Sequence, residues 1–212
     1  MRLAIIGAGN VGGTLGTAWA QKASHEIFFG VRNPTFDQTQ AAVRRLDGKA
    51  RRHAGTSSGI RSIHRADDAM ECGRSSNPID GRFERNGILD ATNPLAMGPD
   101  GFALEIGHNI SAGEKVQGWA KGASVFKTLN TTGFGNMANP IFRGVKSVMF
   151  VAGDDAANRS SVVELVAALG FEVVDAGPLR NARLLEAHAM LWIDLALTRG
   201  LGRDFAFAIV RR

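Results

Sequence analysis

The start of the chain limits its fold more than anything that follows. Residues Arg2–Ile6 form a short apolar run, and Gly7-Ala8-Gly9-Asn10-Val11-Gly12 follows at once as G-x-G-x-x-G. An apolar run closed by glycine reads as a buried parallel strand. From Asn10 to Lys22, Val11, Leu15, Ala18 and Trp19 recur at three- and four-residue spacing, the stripe of an amphipathic helix. Strand, glycine turn and helix in that order form the context in which this motif holds a dinucleotide. The first glycine makes the tight turn, the second lets backbone approach a pyrophosphate, and the third lets helix pack on strand. Backbone N–H groups at the helix start then face the phosphates, where the macrodipole favours negative charge. Gly7, Ala8, Gly9, Asn10, Val11 and Gly12 are the expected pyrophosphate loop.

The next strand, expected over 25–31, selects the nucleotide. An NAD site usually ends this strand with an acid that binds the ribose 2′-OH. Here the strand ends in Val31, Arg32 and Asn33, with no acid. Arg32 is placed to grip a 2′-phosphate through its planar fork. NADP(H) is therefore expected rather than NAD(H), with Val31, Arg32 and Asn33 at its adenosine end.

Further elements follow in alternation. A helix is expected over 36–46 and strands over 87–91, 125–129, 145–151 and 171–174. Ser111 and Glu114 match a capping box that opens a short helix. A helix over 154–169 turns Val162, Val163, Val166 and Leu169 inward and stops at Gly170. An apolar helix is expected over 181–198 and a last one over 203–210. The alternation predicts an α/β fold, a Rossmann-type doubly wound, mostly parallel sheet with a helical C-terminal lid.

Composition narrows the classes. Of 212 residues, 44% are hydrophobic and 21% charged, which excludes a wholly disordered chain. The length suits one domain over 1–212. Within it, 1–175 would be the nucleotide-binding core, and the helices of 176–212 would lie over the active site. A lone cysteine, Cys72, excludes a disulfide framework and a cysteine-based zinc site, and the histidines are too scattered for a metal triad. No apolar run approaches the roughly 18–20 residues of a membrane span. A cytoplasmic protein with no membrane contact and no metal is expected. The net charge is +5. The basic cluster Arg44, Arg45, Lys49, Arg51 and Arg52 lacks interleaved aromatics and reads as a solvated face, not a nucleic-acid surface. His188, inside the apolar helix, reads as a hydrogen-bonded packing residue, and Met190, Leu191 and Trp192 as core.

Several longer motifs carry a family likeness. They are R-L-A-I-I-G-A-G-N-V-G at the N-terminus, F-G-V-R-N-P from Phe29, L-D-A-T-N-P-L from Leu89 and K-T-L-N-T-T-G-F-G-N-M-A-N-P from Lys127. V-M-F-V-A-G-D-D from Val148 and D-A-G-P-L-R-N-A-R-L-L-E from Asp175 complete the set. With these, the chain resembles the NADP oxidoreductases that depend on the deazaflavin coenzyme F420, and their bacterial dinucleotide-binding relatives. The resemblance implies that the nicotinamide lies over the sheet's C-terminal edge near Thr92, Asn93, Pro94 and Asn130, Thr131, Thr132. The acceptor would stack against it at Asn130, Thr131 and Thr132, covered by the turn of Gly177, Pro178 and Leu179. The implied reaction moves a hydride between NADP(H) and F420 or a similar small redox acceptor such as a flavin. Hydride transfer needs ring alignment and exclusion of water more than acid–base groups, so no catalytic residue is assigned. The F420-specific relatives carry His where this chain has Asn130, which leaves a flavin, a quinone or a ferric chelate as further acceptors. Analogy also implies a homodimer through the C-terminal helix. The competing reading is a non-catalytic NADP-binding protein, a sensor or an inactivated paralogue.

One segment breaks the pattern. Residues 57–86 hold no strand-like apolar run and no useful helical stripe, although a doubly wound sheet needs its fourth strand here, beside the first. Read one base later, the codons of Met70-Glu71 necessarily give Trp. Arg65 to Arg74 can then spell V-L-M-T-P-W-N-A-V, and Gly81 to Asn86 G-D-L-N-G, as the family likeness predicts. The segment is expected to derive from a compensated frameshift, and the chain as written to lack one central strand.

Overall fold

The computed structural model of the chain describes residues 2–31, 35, 37–46, 50–54, 62–63, 87–99 and 101–212, with 50–54 and 62–63 described by their backbone alone. The first half runs β1 (Arg2–Ile6), α1 (Asn10–Lys22), β2 (Glu26–Val31), α2 (Asp37–Arg44), β3 (Ala50–Ala54), β4 (Ser62–Ile63) and β5 (Gly87–Asp90). A hairpin of β6 (Leu95–Gly98) and β7 (Gly101–Leu104) leads to α3 (Ala112–Trp119) and β8 (Ser124–Lys127). Then come α4 (Phe134–Ala138), the hairpin of β9 (Ile141–Phe142) and β10 (Val145–Lys146), β11 (Val148–Gly153), α5 (Ala156–Ala167) and β12 (Glu172–Asp175). A short 3-10 turn over Leu179–Asn181 leads into α6 (Ala182–Ile193), which ends in a π-turn over Asp194–Thr198.

Eight strands make one sheet in the order β12-β11-β8-β5-β4-β1-β2-β3. From β3 to β8 every pairing is parallel, and β11 enters antiparallel to β8 with β12 parallel beside it. The winding reverses between β2 and β4, on either side of β1, the arrangement of a doubly wound nucleotide-binding sheet. Strand periodicity of two then sends alternate residues to opposite faces. Leu3, Ile5, Ile27, Phe29, Leu89 and Phe126 join Leu15 and Trp19 of α1 and Leu165 and Val166 of α5 on one face. Ile88 and Val125 join Val116 of α3, Leu179 and Ala182 on the other. The helix α1 lies close because Gly16 leaves room: a Cβ there would come within 2.7 Å of Phe29 Cζ. Trp19 Nε1 donates to the Leu165 carbonyl at 2.9 Å and ties α1 to α5.

Five expectations are corrected. The fourth strand is present: Ser62–Ile63 fills the slot between β1 and β5, with Ile63 in register with both Ile6 and Asp90. The other residues of 57–86, including Cys72, lie outside the described residues. The expected helix over 203–210 is absent. Gly200 and Gly202 take left-handed φ of 74° and 77°, and the tail's carbonyls are used elsewhere. Phe205 O accepts from Trp192 Nε1 and Asn136 Nδ2, and Phe207 O from the Val148 N–H, so they are not free for helical bonds. The run 145–151 is two elements, because Val145–Lys146 folds back on β9 before β11 begins. Leu191 is not core but 51% exposed, whereas Trp192 beside it is buried. Val163 is half-buried and Leu165 takes its inward place. Among the described residues no helix is long and apolar enough to cross a membrane.

Candidate functional site

The glycine loop sits at the winding reversal. Gly7 turns the chain out of β1 with φ 89°, and its N–H donates to the Gly30 carbonyl at 2.8 Å. A Cβ on Gly12 would stand 2.1 Å from the Gly7 carbonyl oxygen, so only glycine fits where α1 passes over its own entry turn. Gly9 caps α1 with no side-chain hydrogen bond, and the first turn holds no acid. Among the described residues nothing lies within 4 Å of a Cβ built on Gly9. Among the described residues the first-turn N–H groups of α1 thus meet no side-chain acceptor, with the positive end of the dipole behind them. Ala8 is buried, Val11 half-buried and Asn10 exposed. Val31 closes β2 half-buried, in register with Ala54. Arg32 and Asn33 lie outside the described residues.

The loops that follow β5 and β8 emerge at the same edge of the sheet, where ligands of open α/β sheets bind. Asn93 Nδ2 donates to the Asn130 carbonyl at 2.9 Å, and Asn130 Nδ2 donates back to Asn93 Oδ1 at 3.1 Å. Asn130 Nδ2 also donates to the Leu185 carbonyl of α6 at 3.1 Å. Its Oδ1 has no partner among the described residues, although the residue is only 4% exposed. Thr92, Pro94 and Thr131 are buried and Thr132 half-buried. Asn136 Nδ2 donates to Thr132 Oγ1 at 3.0 Å and borders an open groove of about 800 Å³ that Arg143 and Arg203 also line.

The sequence reading brings together the Thr92–Asn93 and Asn130–Thr132 groups, and the structure does the same through the paired asparagines. Gly177, Pro178 and Leu179 are held elsewhere. The Gly177 carbonyl accepts from the Gly153 N–H, the Leu179 N–H donates to Asp154 Oδ1, and Leu179 is buried against the apolar face of β5, β8 and α3. Further along α6, the Leu185 carbonyl accepts from Asn130 in the loop after β8, and Glu186 reaches Lys127 at the end of β8 and the start of α3. His188 packs edge-on against Phe150 and Phe207, with ring centroids 5.6 and 4.6 Å away. Burial pushes its pKa down, and Nε2 has no partner among the described residues, so it packs without the expected hydrogen bond.

Sequence reasoning missed a charged group beneath these loops. Lys127, Asp90 and Glu186 are all fully buried. Lys127 Nζ lies 3.0 Å from Asp90 Oδ2 and 2.8 Å from Glu186 Oε1, and it donates to the Thr92 carbonyl at 2.6 Å. Each of the three stands where the element's pattern calls for an apolar side chain, and that mismatch was the available signal. Nearby, Glu114 completes the capping box with Ser111 and bridges to Arg183 of α6. The Arg183 guanidinium holds the Glu114 carboxyl down to about 2.

No family profile matches the chain. Among solved structures it resembles a provisionally assigned F420-dependent NADP reductase from Arthrobacter sp. FB24, with 28% identity, a TM-score of 0.83 and 100% of each chain covered. A hypothetical protein from Sinorhizobium meliloti shares the fold at 22% identity and a TM-score of 0.68, over 86% of this chain and 88% of that one. A reductive aminase from Aspergillus terreus, solved with NADPH and ethyl-5-oxohexanoate, shares it at 19% identity and a TM-score of 0.63, over 94% of this chain and 63% of that one. The chain therefore has a Rossmann-type α/β fold, and its full-length likeness to the Arthrobacter protein is the one its motifs suggest.

Proposed function

We propose that the chain is an NADPH-dependent oxidoreductase that moves a hydride between NADP(H) and a small redox acceptor, F420 or a flavin. The observation that carries this reading is the bare start of α1 at the winding reversal. Among the described residues it offers uncapped N–H groups, no acid in the first turn and no atom near a Cβ built on Gly9. These residues fit a pyrophosphate. The whole-length likeness to a protein described as an F420-dependent NADP reductase supports the choice of chemistry. Arg32, following Val31, supplies the grip on a 2′-phosphate.

The dinucleotide supplies the hydride, and the chain's residues orient and enclose it. Gly7 to Gly12 hold the pyrophosphate. Thr92, Asn93 and Pro94 with Asn130, Thr131 and Thr132 wall the nicotinamide end. Asn130, held by Asn93 and by the Leu185 carbonyl, keeps this wall in place, and its buried Oδ1 has no partner among the described residues.

Titration with NADPH and NADH, then a panel of F420, FMN and ferric chelates, tests the reading. Tighter binding of NADPH and its oxidation by a panel member are expected. Tight binding with no turnover on any of them would favour a non-catalytic NADP-binding protein. Gly9→Ala is the sharper probe. Its backbone, φ −72° and ψ −163°, suits alanine, and its Cβ would touch nothing within 4 Å among the described residues. The melting temperature should hold while NADPH affinity falls at least about tenfold, because the new methyl occupies the phosphate's approach. Unchanged affinity would sink the loop assignment.

A further inference from the structure

The buried group of Asp90, Lys127 and Glu186 has no part in the binding scheme above, yet it is built with every partner in place. Lys127 Nζ meets two carboxylates and one carbonyl, matching its three donors. Asp90 Oδ1 accepts from the Thr92 N–H at 2.9 Å and from Thr92 Oγ1 at 2.7 Å. Glu186 Oε2 accepts from the Ala112 N–H at 3.0 Å, and Oε1 from the Gly113 N–H at 3.1 Å, at the start of α3. Gly113 packs closely over the group: a Cβ there would lie 3.3 Å from Ala182 Cβ and in ordinary contact, at 3.5 Å, with Asp90 Oδ2 and Lys127 Cδ.

A buried ionic cluster is a poor device for stability alone, because apolar residues of similar size often serve as well or better. Its distinct product is geometry. It ties the ends of β5 and β8, the start of α3 and the middle of α6 to the backbone of Thr92. From Thr92 the chain passes directly to Asn93, which pairs with Asn130, and Asn130 is held by the Leu185 carbonyl next to Glu186.

We propose that Lys127, with Asp90 and Glu186, is a positioning residue for the nicotinamide half of the site. It locks the Thr92–Asn93 loop, Asn130 and α6 into one rigid wall. The inference rests on the dinucleotide reading above and adds to it which buried groups set the ring's place.

The test compares two probes on the full chain: NADPH, which carries the nicotinamide, and 2′,5′-ADP, which carries only the adenosine half. The variant is the neutral, near-isosteric triple change Asp90→Asn, Lys127→Met and Glu186→Gln, which leaves no buried charge unpaired. The expected result is unchanged 2′,5′-ADP affinity, NADPH affinity lower by at least about tenfold, and loss of the fluorescence anisotropy of the bound reduced ring. Glu186→Gln alone, the mildest change, should move the same readouts in the same direction by about threefold, and it serves if the triple variant does not fold. NADPH affinity and ring anisotropy equal to wild type would overturn the inference, as would an equal loss for both probes, the mark of a merely structural role. Binding of neither probe by the wild type would instead overturn the dinucleotide reading, and this inference with it.

Discussion

Neighbouring glycines in α1 have unlike duties, and they separate fold from function residue by residue. Gly12 and Gly13 are adjacent and both helical. A Cβ on Gly12 would meet the Gly7 carbonyl at 2.1 Å, whereas one on Gly13 would meet Ala42 Cβ at an ordinary 3.5 Å. Gly12→Ala must therefore push α1 off β1, with an expected loss of several kcal/mol, of the order of other overpacked core sites, and loss of NADPH binding. Gly13→Ala should be neutral or gain up to about 1 kcal/mol from helix propensity. Thermal unfolding of the two variants checks this, and equal behaviour would contradict the packing argument. The glycine loop was legible because its reasons are local: a turn, a close approach and a helix start. Lys127 was not. Its meaning depends on Asp90 and Glu186, 37 and 59 residues away by their numbering, and no local pattern joins them.

At the scale of elements, the helices with chemical punctuation were read correctly and the hairpins were not. The S-x-x-E signal placed the start of α3, and the capping box is complete there, with Ser111 Oγ accepting from the Glu114 N–H at 3.1 Å. The strand β3 reads ARRHA, with no apolar alternation, so an edge strand held by its ladder to β2 left no trace in the pattern. The C-terminal tail looked helical but is held through its carbonyls, a tertiary effect that propensity does not carry. Glu114 links α3 to α6 and makes their junction sensitive to acid. Its carboxyl is held from an ordinary 4.5 down to about 2, first by the hydrogen bond from Arg183 and then by Ser111. A depressed carboxyl stabilises the fold above its unfolded pKa, and that stabilisation fades as the pH falls from about 4.5 toward 2. Glu114→Gln can still close the capping box but loses the charge facing Arg183. At pH 7 it should cost about 1 kcal/mol, discounted for the pair's partial exposure, or roughly 2–4 °C in melting temperature. The gap between wild type and variant should shrink steadily below pH 4.5 in a calorimetric series. A gap that stays constant to pH 3 would show that the charge does not matter.

For the whole molecule, the middle of the sheet is where the described residues make the fewest ladder contacts. The strand β1 is in register with β2 at five positions, Arg2 to Ile6, but with β4 at one, Ile6. On the far side, β5 matches β8 at four positions and β4 at two. The slot next to the winding reversal, which parallel sheets of this kind fill with a continuous apolar strand, is held among the described residues by Ser62 and Ile63 alone. The doubly wound order was legible because each flanking strand announces itself. The central one did not, since 57–86 carries the wrong text for a buried strand. We propose, from the text of 57–86, that the segment derives from a compensated frameshift. The shifted reading V-L-M-T-P-W begins at Arg65, two residues beyond Ile63, where an apolar run would lengthen β4. Each buried apolar side chain gained is worth roughly 1.5–3 kcal/mol, against a total stability of about 5–15 kcal/mol. The chain carrying the shifted text over 57–86 should therefore melt at least about 5 °C above the chain as written, by circular dichroism at equal concentration. It should also bind NADPH more tightly, because the added strand lies between the glycine loop and the Thr92–Asn93 loop. Equal melting of the two chains, or codons in the gene that cannot yield the shifted text, would end the idea and leave the two-residue strand as this sheet's own solution.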